Sequence, residues 1–183
     1  QSNSNQIVRC AKVLGKSGVR LGGRDFDRWI ANHLFPDIQL TEELLNSAEK
    51  LKCKLSQSEI LDTEVLHEEY LESESNLNRN KQLRLSRDSL EKLLINHGLI
   101  KILEKLLEKT LASGRANGCS LADLQGVVAV GGGSLIPILR KCLKQETHPA
   151  PFLSPPPVEA VALGALKLTP EVQIKDVLNK GVS

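Results

Sequence analysis

Aromatic side chains are nearly missing from this sequence: one Trp, one Tyr and three Phe make up 3% of its 183 residues. A surface that stacks nucleic-acid bases is built from such rings, so their scarcity argues against one. An excess of one charge is missing too, with 24 basic and 22 acidic residues interspersed for a formal net charge of +2. No basic face stands out, and nucleic acid is not implied as a partner. No apolar run reaches membrane-spanning length and no signal-peptide pattern occurs, so no membrane role is expected. The four cysteines, Cys10, Cys53, Cys119 and Cys142, lie far apart, and His33, His67, His97 and His148 form no HxxxH pair. No metal site is expected. Free, partly buried thiols in a reducing cytoplasm fit this usage.

What is present is a chain with 40% apolar residues, mostly Leu, Ile, Val and Ala, long enough for one domain or two small ones. Residues 1–6 read as disordered or a cloning remnant, because Gln1-Ser-Asn-Ser-Asn5 is polar and low in complexity. A β-prone run, Ile7 to Leu14, follows almost at once without a methionine, so the chain reads as a piece of something larger.

The chain is organised around Val127-Val-Ala-Val-Gly-Gly-Gly-Ser-Leu-Ile-Pro137. Val127 to Val130 predicts a short buried strand. Gly131, Gly132 and Gly133 follow, then Ser134 as a helix cap and Pro137 in the first helical turn. A strand that ends in glycines and opens a helix brings backbone N–H groups close to whatever lies above it, as at a phosphate or nucleotide site. Any tight strand-to-helix turn also favours glycine, and that plainer reading stands beside the first.

Along the chain, Asp25 to Phe35 predicts a helix capped by Asp25, with Phe26, Trp29, Ile30 and His33 on one face, ended by Pro36. Thr41 to Leu55 predicts a second, capped by Thr41, with Glu42 and Glu43 at its positive end. Leu44, Ala48, Leu51 and Leu55 form its apolar stripe, while Glu49, Lys52, Cys53 and Ser56 form a second stripe about 100° round the helix. One face can bury while its neighbour presents a carboxylate, an ammonium, a thiol and a hydroxyl together. The plainer reading of Glu49 and Lys52 is a solvated charge pair three residues apart. Glu59 to Leu66 reads as a strand, His67 to Lys81 as a hairpin tip or loop, and Gln82 to Leu85 as a returning strand. Ser86 caps a long helical stretch to Ala116 that breaks at Gly98, and Asn117-Gly118 stops it. Ser120 to Leu124 is a short helical turn, Ser154 to Pro157 is extended, and Val158 to Lys167 is a helix of small residues. Thr169 to Ser183 has no clear structure.

Several ordered blocks resemble the ATPase domain of the 70-kDa heat-shock chaperone family, which has the actin-like ATPase fold. They are Leu21-Gly-Gly-Arg-Asp-Phe-Asp27, Glu49-Lys-Leu-Lys-Cys-Lys-Leu-Ser56, Val127 to Pro137, and Val158-Glu-Ala-Val-Ala-Leu-Gly-Ala165. The likeness runs from about Val8 to Lys167 and points to a divergent bacterial member. It implies an α/β fold with α+β elements: one lobe, the second, with a mixed sheet, flanking helices and a smaller helical and hairpin subdomain. The base subdomain would be residues 7–34 and 86–168, the top subdomain 35–85, and 169–183 a tail or linker. Val172-Gln-Ile-Lys-Asp-Val-Leu178 is similar to the family's linker.

The resemblance also implies a site for ATP or ADP. Glu49 and Lys52 would bond the ribose, Ser56 would face the adenine, and Gly23, Gly131, Gly132 and Gly133 would line the nucleotide with backbone. Two arginines that sandwich the adenine in the family are replaced here by Cys53 and Leu135, and Arg24 and Val158 stand where the family has acidic residues. A lost arginine–ring stack costs about 0.5–2 kcal/mol, so weaker binding or an altered base preference is expected. The groups that hold magnesium and position the attacking water lie outside these residues in the family. No residue is therefore assigned as catalytic, and the isolated lobe is expected not to hydrolyse ATP. The implied partners are a first ATPase lobe that supplies magnesium, a substrate-binding domain, client polypeptides and co-chaperones. The alternative is a degenerate, nucleotide-independent scaffold for protein interaction. A sugar-kinase or polymer-forming relative is a third reading, disfavoured by Leu21 to Asp27.

Overall fold

The computed structural model describes residues 9–74, 77–153 and 172–175. The helix Val158 to Lys167 and the extended segment Ser154 to Pro157 lie outside them. The described elements are β1 (Arg9–Lys12), α1 (Gly23–Leu34), α2 (Glu42–Leu55), β2 (Val65–Glu74), β3 (Leu77–Ser86), α3 (Arg87–Asn96), α4 (Leu99–Ala116), β4 (Val127–Val128), α5 (Pro137–Glu146), β5 (Phe152–Leu153) and β6 (Val172–Lys175). Strands pair as β1 with β6 and β4 with β5, both parallel, and β2 with β3, antiparallel. The fold is mixed α/β. Among the described residues no helix is long and apolar enough to cross a membrane.

The residues gather into two compact units. One comprises residues 20–103 and 132–143 and holds a single apolar core. Its centre is the predicted stripe of α2: Leu44, Ala48, Leu51 and Leu55 are each fully buried. Burying a leucine side chain contributes about 1.5–3 kcal/mol, so this stripe fixes the helix face. Thr41 caps α2 as predicted, its Oγ1 accepting from the Leu44 amide at 3.2 Å. Phe26, Ile30 and Ala31 of α1, Leu83 and Leu85 of β3, Leu90 and Leu94 of α3, and Ile136 and Leu139 of α5 complete the core. Ser86 caps α3 through the Ser89 amide at 3.2 Å. Gly98 (φ +78°) separates α3 from α4 in the left-handed conformation that glycine adopts without strain.

Several local expectations are corrected. Asp25 is not the N-cap of α1: Gly22 is, and the Asp25 carboxylate accepts from its amide at 2.8 Å from the third helical position. His33 is exposed, and the buried face of α1 carries Asp27 and Ala31 instead. Residues 59–64 are turns, not strand; Arg87 holds them by donating to Leu55 O at 2.8 Å, to Asp62 Oδ1 at 3.0 Å and to Gln57 O. The polar run His67 to Lys81, read as a hairpin tip or loop, lies in the β2–β3 hairpin, whose paired strands extend through Glu74 and from Leu77. Among its described side chains, exposed His67, Glu69, Gln82 and Arg84 alternate with buried Tyr70, Leu83 and Leu85, and the exposed polar set makes the sequence look loop-like.

The other unit comprises residues 1–19, 104–131 and 144–183. Within it the chain after β1 lies along α4: Leu14 O accepts from Asn117 Nδ2 at 2.8 Å, and Ser17 Oγ donates to Leu106 O at 2.9 Å. The tail without clear structure in the sequence supplies β6, which pairs with β1 over Arg9↔Val172 to Lys12↔Lys175. Val127 to Val130 is not a buried strand. Only Val127 and Val128 are strand, pairing with Phe152 and Leu153 of β5, and Val128 and Val130 are about half exposed (53% and 49%).

Candidate nucleotide-binding site

The second stripe of α2 is where the chemistry gathers, and it is not uniformly solvated. Glu49 and Cys53 are exposed, Ser56 is half-buried at the C-cap, and Lys52 is buried. The plainer pairing of Lys52 with Glu49 is replaced by a contact to α1. Lys52 Nζ lies 2.6 Å from Oδ1 of Asp27 and donates to Gly23 O at 3.2 Å. Asp27 is itself only 1% exposed, so the ion pair is sealed between the two helices. Arg24 and Glu42 make a second, exposed ion pair between the same helices. Arg24, which stands where the resembled family has an acidic residue, thus has an acidic partner on α2.

The electrostatics follow from this packing. Burial raises the Asp27 carboxyl above its ordinary value, Lys52 opposes the rise by hydrogen bond and charge, Glu49 adds to it, and Arg24 opposes it. Burial also raises the Cys53 thiol, against Lys52 and with help from Glu49 and Asp27. The Cys53 thiol is therefore kept protonated and behaves as a small apolar surface. Glu49 contributes to both shifts and lies three residues before Lys52 on α2, one helical turn away. Ser56 Oγ donates to Lys52 O at 2.8 Å, which leaves its oxygen as an acceptor.

The glycine turn is built differently from its prediction. Gly132–Leu135 is a short 3-10 turn, Ser134 lies inside it rather than capping α5, and Pro137 is the first residue of α5, as expected. The turn leads directly into Ile136 and Leu139, which share the core with Leu51 and Leu55 of α2. Gly132, Gly133 and Leu135 are exposed, Leu135 at 38%. A methyl group added at Gly132 or Gly133 would meet none of the described residues within 4 Å. Gly131, at the end of the 104–131 segment of the other unit, has φ +85°. At Gly23, by contrast, an added methyl would sit 3.3 Å from Lys52 Nζ.

The structure thus joins Gly23, Glu49, Lys52, Cys53 and Ser56 around one face of α2, and it places Gly132, Gly133 and Leu135 on an open turn. Asp27 was missed from the sequence. Its signal was present: Asp27, Ile30, Ala31 and Leu34 are spaced as one helix face, and a carboxylate on an apolar stripe calls for a buried cation. The donor set suits a nucleoside. A carboxylate and an ammonium one helical turn apart match a pair of sugar hydroxyls, and a protonated thiol and a leucine offer apolar surface to a base.

A mixed α/β chain with these helices, strand pairs and glycine turn is part of an actin-like ATPase domain. A family model described as Hsp70 protein matches residues 12–179, and the chain belongs to the Hsp70 family. It is similar to the chaperone protein dnaK of Trieres chinensis, 31% identical over 182 aligned positions that take in 91% of this chain and 28% of that protein. It is also similar to the chaperone protein DnaK of Cenarchaeum symbiosum (strain A), 29% identical over 167 positions, 84% of this chain and 24% of that protein. The chain spans about a quarter of the length of these relatives.

Proposed function

We propose that this chain is the second lobe of an Hsp70-type ATPase and supplies the adenosine side of its ATP or ADP cleft. The observation that carries the reading is the Lys52 ammonium, held by Asp27 Oδ1 and Gly23 O beside the exposed Glu49. In this reading Lys52 donates to, and Glu49 accepts from, the two ribose hydroxyls. Ser56 accepts from the adenine amino group. Cys53 and Leu135 pack the base in place of arginines, and Gly132 and Gly133 present backbone N–H groups, as the first residues of a helical turn do. Gly131 takes the role the family resemblance gives it, lining the nucleotide through its backbone.

Bound ATP supplies the phosphoryl group, and magnesium arrives with the partner lobe. This chain's own residues bind and orient the nucleoside and take no covalent part. By itself the lobe does not hydrolyse ATP. In the whole protein, closure of two lobes on the nucleotide drives an attached substrate-binding domain that handles client polypeptides with co-chaperones. A bacterial cytoplasm is the proposed setting, with the base and top subdomains divided at residues 34/35 and 85/86. The Cys53 and Leu135 replacements also favour a second reading, a scaffold that no longer uses nucleotide.

Calorimetric titration of ADP into the whole polypeptide that carries this lobe tests the proposal. Glu49 is exposed, so Glu49→Ala should leave the fold intact while weakening ADP by about tenfold, or 1.4 kcal/mol. Unchanged affinity in that variant would remove the ribose from α2. No binding by the wild type would leave the scaffold reading in its place.

A further inference from the structure

We propose that Asp27 is a positioning residue for the nucleotide, acting through Lys52; this rests on the ribose role proposed above for Lys52. A lysine side chain is a flexible four-carbon stem with three rotatable donors, and an unrestrained ammonium loses entropy whenever it is fixed on a ligand. Here the stem is already fixed. The Lys52 side chain is 10% exposed, and Asp27, 2% exposed, holds Nζ at 2.6 Å. Gly23 O takes a second N–H at 3.2 Å. The ammonium lies over Gly23, where a methyl group would come within 3.3 Å of Nζ. Two donors are thus spent on α1, and the third N–H is left for a ligand.

The pair is expensive to seal between helices if its purpose is stability alone, because apolar residues of similar volume often serve a core as well or better. Asp27 sits at an otherwise apolar position, on the α1 face that carries Ile30 and Ala31, both fully buried. Its carboxylate therefore sets where Lys52 points before any nucleotide arrives. Asp27 itself does not touch the ligand.

The test compares ADP with dideoxy-ADP, which lacks both ribose hydroxyls, by calorimetry on the whole polypeptide. The wild type should prefer ADP. Asp27→Asn should weaken ADP by about tenfold, as for a lost charge-assisted hydrogen bond, and leave dideoxy-ADP unchanged. Equal losses for both ligands would make Asp27 merely structural and overturn the proposal, as would no loss for either. Wild-type binding without preference for ADP would overturn it through Lys52 while sparing the adenosine lobe. No wild-type binding of either ligand would overturn both readings. If Asp27→Asn does not fold, Lys52→Met is compared with Lys52→Met combined with Asp27→Asn. Equal ADP affinities support action through Lys52, and a further loss in the combined variant contradicts it.

Discussion

Two glycine-bearing lead-ins to helices look alike in this sequence and differ in structure. Leu21-Gly-Gly23 opens α1, and Gly131-Gly-Gly133 opens the turn before α5. The first is filled: Gly22 is tied to Asp25, and Gly23 carries the Lys52 ammonium on its carbonyl and close above its Cα. The second stands open, with space for a methyl group at all three glycines. Glycine at position 23 makes room for a neighbour already in place. Glycine at 132 and 133 leaves backbone that no described residue crowds. The same residue type marks a packing constraint in one place and a candidate ligand surface in the other.

The largest effect should come from emptying the filled turn. Lys52→Met leaves Asp27 buried without its cation and should lower stability by about 3 kcal/mol in urea unfolding. A change within measurement error would mean the pair is not sealed as described. Gly131→Ala should cost about 1–2 kcal/mol, because alanine at φ +85° is strained even with space around it.

A sharper contrast comes from alanine at the remaining glycines. Gly23→Ala pushes against an ammonium that Asp27 holds, and should destabilise the wild type by about 0.5–1 kcal/mol. In the Lys52→Met background the same change should become neutral or stabilising, since alanine suits a helix better than glycine. Gly132→Ala and Gly133→Ala should stay within about 0.5 kcal/mol of the wild type, as for surface sites. A large loss at either would close the open turn.

The smallest effect is in pH dependence. Asp27 should titrate above the ordinary carboxylate value of 3.8 in a carbon-detected NMR titration, because burial outweighs Lys52. The native state then holds a proton that the unfolded chain has already released. The carboxyl's contribution to stability is therefore fully present below 3.8 and falls as pH rises from there through the native pKa. A midpoint at 3.8 would remove this dependence, and one below 3.8 would reverse its sign.

The features legible in the sequence were local. The stripe Leu44, Ala48, Leu51 and Leu55, the caps Thr41 and Ser86, and the break at Gly98 each follow from neighbours within a few residues, and the structure has them all. What the sequence hid depends on distant partners. The partner of Lys52 lies 25 residues away, and the nearer Glu49 was the natural pairing by helical spacing. The hairpin itself was legible, but the length of its strands was not, because charged, exposed residues such as Glu69 and Arg84 outweigh the alternation. Strand β6 was hidden because its partner, β1, lies at the opposite end of the chain. Val128 and Val130 suggested burial by type, but the strand stops at Val128 and both side chains are about half exposed.

The measurement that goes straight to the proposed nucleoside site is an amide NMR titration of the whole polypeptide with ADP, assigned across α2, the glycine turn and the hairpin. Amides of Glu49 to Ser56 and of Gly132 and Gly133 should shift together and saturably, while those of the outer hairpin face, such as Glu69 and Arg84, should stay in place. Saturable binding that leaves α2 and Gly132–Gly133 unmoved would contradict the placement of adenosine on this lobe.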